Sequence, residues 1–116
     1  MSLKQDLIAA RALIAEPAQW TTLASARLAN GTSCSPWDVG AVCFCMFGTV
    51  DRVAKPSPTD PTPHPTTNIT DRLTQALDDA LLPEFDGWTL DEFNDDPNTT
   101  HEMVLAVYDR AIEAAQ

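Results

Sequence analysis

The sharpest polar cluster in the sequence is the run Asn94-Asp95-Asp96. Carboxylate and amide oxygens of this kind can hold a divalent cation, as they would in a small hydrolase or another metal-dependent enzyme. The same side chains can instead accept hydrogen bonds from loop N–H groups, cap the helix that follows and pair with Arg110. We favour this structural interpretation and keep Asn94, Asp95, Asp96 and Arg110 as the candidate binding residues.

Cysteine and histidine side chains are the other candidates for metal or nucleophilic chemistry. Cys43 and Cys45 lie two positions apart, so on a helix they would point about 200° away from each other and could not form a disulfide. A metal pair there would need two further ligands, and the histidines are His64 and His101. A nucleophilic dyad would pair His101 with Cys34, Cys43 or Cys45, but His101 lies in the first turn of a predicted helix, where a cation is disfavoured. We therefore predict buried free thiols, no metal, no cofactor and no catalytic residue.

The charge of the chain is distributed unevenly. Residues 66–116 hold two arginines against twelve acidic residues, whereas five basic and five acidic residues balance in residues 1–65. The whole net charge of −10 therefore belongs to the C-terminal half, which argues against direct binding of nucleic acid or anionic lipid. An acidic mimic of nucleic acid, which would inhibit a DNA-binding protein by occupying its basic groove, is one function that this charge favours.

Length and hydropathy set the expected class of protein. A chain of 116 residues, 44% of them hydrophobic, is long enough to bury one core, so we expect residues 1–116 to form a single domain. No stretch approaches the roughly 18 to 20 apolar residues of a transmembrane helix. The N-terminus has no apolar core followed by a small-residue cleavage site, which predicts a cytoplasmic protein without a membrane partner.

The first 34 residues predict a helix and then a turn. Residues 3–16 have the 3.6-residue hydrophobic period, Ser2 and Gln5 have capping-box spacing, and Pro17 marks the end of the helix. Further on, Asn30-Gly31 favours a short β-hairpin, because both residue types tolerate positive φ. A helix through residues 20–28 that ends at the same dipeptide is the alternative.

The segment from Ser35 to Ala54 is predicted to be the central helix of the fold. Ser35 is placed to be its N-cap and Pro36 its first residue. Residues 39–50 carry no charged side chain and are apolar on almost every face. A helix of that kind has to be surrounded by protein, so we expect the other helices to pack around it.

The second half predicts two more helices separated by an acidic loop. Five of the nine prolines lie in residues 55–67, which predicts an extended surface connection. Residues 69–82 and 100–115 have helical periods, with Thr99 or Thr100 as the cap of the last helix, and residues 84–97 are expected to be a loop or short irregular turns. Because Asp109 and Glu113 repel each other on the last helix, we expect Arg110 to pair with Asp95 or Asp96 instead.

These elements predict a mainly α fold. We expect a single-domain bundle of about four helices around the buried central helix, with room for one short β-hairpin near Asn30-Gly31. The structural core is predicted to contain Trp20, Trp37, Phe44, Cys45, Phe47, Gly48, Leu73, Leu77, Val104 and Ile112.

Two motifs resemble those of a known group of proteins. They are the segment from Phe44 to Thr49, with an aromatic-Cys-x-x-Gly pattern, and the segment from Asn94 to Ile112, with Asn-Asp followed by Asp-Arg-Ala-Ile. The chain resembles a family of small uncharacterised bacterial and bacteriophage proteins, classed as a domain of unknown function. Thr49 replaces the alanine of the family's pattern, Phe93 its tryptophan and Met103 its glutamate. The resemblance implies no activity and suggests a bacterial or phage setting.

The function favoured by these observations is that of a small acidic accessory or protein-binding module without enzymatic activity. Its partner would be another protein, and a homodimer is an open alternative. The acidic nucleic-acid mimic and the small hydrolase or metal-dependent enzyme that uses Asn94-Asp95-Asp96 are the competing hypotheses.

Overall fold

The computed structural model describes residues 2–54 and 66–115, and for residues 66–68 it describes the backbone alone. In that part of the chain, five α-helices accompany a small three-stranded sheet, so the fold is mainly helical without being a pure bundle. The elements are α1 (Leu3–Ala12), β1 (Ala26–Leu28), β2 (Ser33–Cys34), β3 (Ala41–Phe44), α2 (Met46–Ala54), α3 (Thr66–Asp79), α4 (Leu90–Asp95) and α5 (His101–Ala114). Short 3-10 turns at Pro17–Gln19 and Pro83–Phe85 complete them.

Helix α1 begins at the predicted capping box but ends earlier than predicted. The hydroxyl of Ser2 accepts from the backbone N–H of Gln5, and the side chain of Gln5 accepts from the backbone N–H of Ser2, which confirms the predicted capping box. The helix ends at Ala12, four residues earlier than expected, and Ile14 still reaches the core from the turn that follows.

The hairpin at Asn30-Gly31 is confirmed, and the alternative helix over residues 20–28 is wrong. Strands β1 and β2 pair antiparallel, with Ala26 opposite Cys34. Gly31 has a φ of +89°, a conformation that glycine adopts without steric cost. The N–H of Leu28 donates to the carbonyl of Thr32 at 2.8 Å, which closes the hairpin.

The prediction of one buried helix from Ser35 to Ala54 is wrong. Ala41–Phe44 is strand β3, which pairs antiparallel with β1 in the sheet order β2-β1-β3, and the helix begins only at Met46. Val39 is fully exposed, and Ser35 caps no helix but accepts from the N–H of Trp37 within a turn. A run that is apolar on every face has no distinguishing period, so it is compatible with a strand as well as a helix.

Helix α2 keeps the central position that was expected for the longer helix. Helices α1, α3 and α4 pack on it, and Met46 and Val50 are fully buried. The hydroxyl of Thr49, on α2, donates to the carbonyl of Met46 at 2.7 Å. Its oxygen lies 2.6 Å from the phenolic oxygen of Tyr108 on α5. The core therefore surrounds a helix of nine residues rather than the predicted helix over residues 35–54.

The C-terminal half departs from the prediction mainly at element ends. Helix α3 runs from Thr66 to Asp79 rather than over residues 69–82, so Thr66 and Thr67 belong to it, and the rest of the proline-rich connection, residues 55–65, lies outside the described residues. The predicted acidic loop contains α4, whose capping box is formed by Thr89 and Glu92. Thr100, not Thr99, caps α5 by accepting from the N–H of Met103.

No helix in residues 2–54 and 66–115 is long and apolar enough to cross a membrane.

Removing the phenolic oxygen of Tyr108 tests the buried polar contact between α2 and α5. Tyr108 is completely buried, and this burial raises the pKa of its phenol above the usual range, so the group stays neutral. In Tyr108→Phe, Thr49 still donates to the carbonyl of Met46, so we expect a loss of only about 1 kcal/mol in the free energy of unfolding. Urea denaturation measures it, and an unchanged midpoint would show that the contact between the two hydroxyls adds nothing.

Candidate functional site

Asn94 is the centre of the polar cluster that the sequence singled out. It lies on α4 with 2% of its surface exposed. Its Oδ1 accepts from the indole N–H of Trp20 at 2.8 Å and from the backbone N–H of Met46 at 3.1 Å, while its Nδ2 donates to the carbonyl of Thr21 at 3.2 Å and to Asp95 at 2.9 Å. These four bonds use the whole hydrogen-bonding capacity of a carboxamide. Asn94 therefore joins the start of α2 to the segment after Trp20.

The aromatic-Cys-x-x-Gly segment completes the same junction. The thiol of Cys45 accepts from the N–H of Gly48 at 3.3 Å, as an N-cap does, and burial is the main cause that raises the pKa of this thiol. The backbone N–H of Cys45 donates to the carbonyl of Ser25 at 3.1 Å. A Cβ atom on Gly48 would overlap that carbonyl oxygen. The glycine is therefore required for the close approach of α2 to Ser25.

Residues 21–25, which we call the Leu23 loop, are held from two sides. On one side, the carboxylate of Asp95 accepts from the backbone N–H of Leu23 at 2.9 Å. On the other side, Arg27 on β1 donates to the hydroxyl of Thr21 at 2.9 Å and to the carbonyl of Thr22 at 3.1 Å. The loop thus has a defined conformation although it contains no regular secondary structure.

Leu23 itself has an unusual conformation and exposure. Its φ is +63°, and no other residue except glycine has a positive φ in the part of the chain that the structure describes. The residue is 77% exposed. The left-handed conformation costs an L-residue about 1 to 2 kcal/mol, so this exposed leucine lies at a strained position of the backbone. Nothing in the sequence marks this residue, because the conformation depends on bonds to distant side chains.

Arg110 does not join the cluster. Its Nε donates to the carbonyl of Ala80, just after α3, at 2.9 Å. The expected pairing of Arg110 with Asp95 or Asp96 is therefore wrong. Asp96 accepts from the N–H of Asn98 at 2.8 Å in the turn before α5. Three of the four candidate binding residues thus lie together, and the binding role of all four stays a prediction.

The cysteines and histidines are not gathered into a site in the described residues. Cys43 lies on β3 and Cys45 just before α2, both buried and both free, while Cys34 on β2 is half-buried. His101 has its Nε2 2.7 Å from the carbonyl oxygen of Ile14, and within the described part of the chain no hydrogen bond joins it to a thiol. The same part contains no group of three or more acidic, cysteine or histidine side chains able to hold a metal ion. His64 lies outside the described residues.

The residues predicted for the core divide into two groups. Phe44, Cys45, Gly48, Leu73, Leu77 and Val104 are buried. Trp20, Trp37, Phe47 and Ile112 are half-buried. Two of the half-buried residues use a polar tip, since the indole N–H of Trp20 donates to Asn94 and that of Trp37 donates to the carbonyl of Asp51 at 3.1 Å.

Comparison with known proteins identifies a family but no activity. No curated protein matches the chain, and no solved structure matches it. The model of a family described as a family of unknown function, DUF6197, matches residues 1–114. The resemblance to a family without an assigned function is thereby confirmed, and the chain belongs to DUF6197.

Proposed function

We propose that this chain is a small acidic protein-binding module, without enzymatic activity, that docks onto a partner protein through the Leu23 loop. The observation that carries the proposal is the strained and exposed conformation of Leu23. Unusual backbone conformations persist where the surrounding structure enforces them, and they concentrate at binding and active sites. A leucine fully buried by a partner contributes about 1.5 to 3 kcal/mol to association.

The candidate binding residues act on this loop indirectly. Asn94 and Asp95 bind its backbone atoms at Thr21 and Leu23, so they hold the leucine in place rather than contact the partner themselves. The Oδ1 of Asn94, the atom that would bind a metal ion, already accepts from the indole N–H of Trp20 and the backbone N–H of Met46, which favours the binding module over the metal-dependent enzyme.

Replacing Leu23 with glycine separates binding from folding. Glycine adopts the left-handed conformation without steric cost, which relieves about 1 to 2 kcal/mol of strain, but it also adds about 0.4 to 1 kcal/mol of entropy to the unfolded chain. The free energy of unfolding of Leu23→Gly should therefore equal that of wild type or exceed it by up to about 1 kcal/mol. The same change removes the apolar side chain and should weaken partner binding about tenfold or more. Val39→Ser is the matched control, because Val39 is fully exposed and lies in the turn before β3.

The measurement begins with capture from the native host by the wild-type chain, the Leu23→Gly chain and the Val39→Ser chain. A protein retained by the wild type and the control is purified, and its affinity for all three chains is measured by calorimetry. Equal affinity for wild type and Leu23→Gly would contradict the proposal. If both substitutions leave the affinity unchanged and the affinity falls steeply as the salt concentration rises, the result would support the acidic mimic of nucleic acid instead.

A further inference from the structure

An open depression of about 580 Å³ lies between the end of α3 and the segment that leads into α4. Its size falls within the range of small-molecule sites. The residues that matter for its chemistry are two aromatic rings and three carboxylates, from Phe85, Trp88, Asp78, Asp79 and Asp86. We call it the Trp88 depression. Its lining does not include the Leu23 loop, so the two surfaces can be tested separately.

The aromatic wall of the Trp88 depression is anchored in the core. Trp88 is 37% exposed. Phe85 packs edge-on against it, with ring centroids 5.0 Å apart and planes at 84°. Phe85 also packs edge-on against the fully buried Phe93 at 4.8 Å. The exposed indole therefore packs on Phe85, which is itself packed on the buried Phe93.

The charge of the Trp88 depression determines what it can accept. Its described lining contains three aspartates and neither lysine nor arginine. The carboxylate of Asp79 accepts from the amide of Gln75 at 2.7 Å, whereas the ion pair found in the described residues joins Arg11 and Asp109 elsewhere. An anionic ligand would be repelled here. A cation would be attracted by the carboxylates and by the face of the indole together.

We propose that the Trp88 depression binds the guanidinium group of an arginine side chain presented by a partner protein. The guanidinium is planar and weakly hydrated, so it stacks on an aromatic face and directs a fork of N–H donors at a carboxylate. Trp88 and Asp86, two residues before it, both line the depression, so an indole and a carboxylate lie on the same surface. The source of the arginine rests on the proposed protein-binding function, whereas the site itself does not.

The test uses the full chain, labelled with ¹⁵N, and N-acetyl-arginine amide as the probe. The indole N–H signal of Trp88, identified by its loss in Trp88→Phe, should shift saturably with the probe. The citrulline analogue, which is neutral and nearly isosteric, should not shift it. Binding should weaken about threefold or more in Trp88→Ala. It should also weaken in Asp86→Asn but not in the control Glu113→Gln, which lies on α5 outside the depression.

Four results would overturn the proposal. Equal shifts from the arginine and citrulline probes would exclude a charge-dependent site. Equal affinity for N-acetyl-lysine amide would exclude guanidinium recognition. Full binding to both Trp88→Ala and Asp86→Asn would place the probe elsewhere. Free arginine binding much more tightly than the amide would exclude a partner's side chain as the source. The Leu23→Gly chain should bind the probe as wild type does, so the outcome here is independent of the Leu23 loop.

Discussion

Replacing Gly48 with alanine is expected to lower the free energy of unfolding by at least about 2 kcal/mol, which is about 10 °C in Tm for a domain of this size. A Cβ atom there would overlap the carbonyl oxygen of Ser25, and backbone cannot move aside as a flexible side chain can. A loss of stability would be diagnostic, because replacing glycine with alanine inside a helix ordinarily raises the free energy of unfolding by about 1 kcal/mol. Thermal and urea denaturation measure the change.

Gly40→Ala is the matched control for Gly48→Ala. A Cβ atom on Gly40 would meet the side chain of Leu28 at 3.1 Å and that of Asp38 at 3.3 Å, both of which can shift. We expect a change of less than about 1 kcal/mol at this position. If Gly48→Ala proves as stable as Gly40→Ala, the close approach of α2 to Ser25 is not a determinant of the fold.

The second large effect is expected for Asn94. In Asn94→Ala, the indole N–H of Trp20 and the backbone N–H of Met46 lose their acceptor, and the carbonyl of Thr21 loses a donor. A buried polar group left without a partner costs about 1 to 3 kcal/mol. The bond to Met46 is buried and those to Trp20 and Thr21 are part-buried, so a total loss of about 3 to 4 kcal/mol, at the low end of the sum, is expected. Denaturation by urea, followed through tryptophan fluorescence, measures it.

Two further substitutions serve as a comparison and a control for Asn94→Ala. Asn94→Asp keeps the acceptor but loses both donated bonds and places a second carboxylate beside Asp95, so it too should be destabilising. Asn98→Ala, at an exposed position in the turn before α5, should change stability by less than about 0.5 kcal/mol. A wild-type stability for Asn94→Ala would show that water replaces the amide at no cost and would remove its positioning role for the Leu23 loop.

Gly48 and Asn94 belong to the two motifs on which the resemblance to an uncharacterised family was based. In this structure both act at the start of α2, Gly48 by allowing the approach of Ser25 and Asn94 by accepting from Met46. Their contacts explain why a glycine and an asparagine are needed at these positions. These contacts place Gly48 and Asn94 at the junction between α2 and the segment around Ser25 and Thr21.

Features coded by neighbouring residues were predictable from the sequence. The capping box of α1 and the hairpin at Asn30-Gly31 each depend on residues within about four positions of one another. The cap of α5 was predicted only as Thr99 or Thr100, and the structure shows that it is Thr100. The strand Ala41–Phe44 was not predictable in this way. Its pairing partner is β1, more than ten residues earlier, and its apolar run has no period that separates strand from helix.

The candidate site shows the same division. The polar cluster at residues 94–96 was recognised from its composition, but its bonding partners at Trp20, Thr21 and Leu23 lie more than seventy positions away. Arg110 was placed wrongly because a charge count suggests carboxylates as partners, whereas the fold offers it the carbonyl of Ala80. The strained conformation of Leu23 has no signature in the neighbouring residue types.

The sequence by itself determined the helical class, the acidic C-terminal half and the capped start of α1, because charge and local hydrogen bonds need no distant partner. Only the tertiary structure decided that the central segment is divided between β3 and α2, that Asn94 bonds to the Leu23 loop, and that Trp88 lines one depression with carboxylates from α3. These features depend on contacts between residues far apart in the chain. Such contacts form only once the core has brought those residues together.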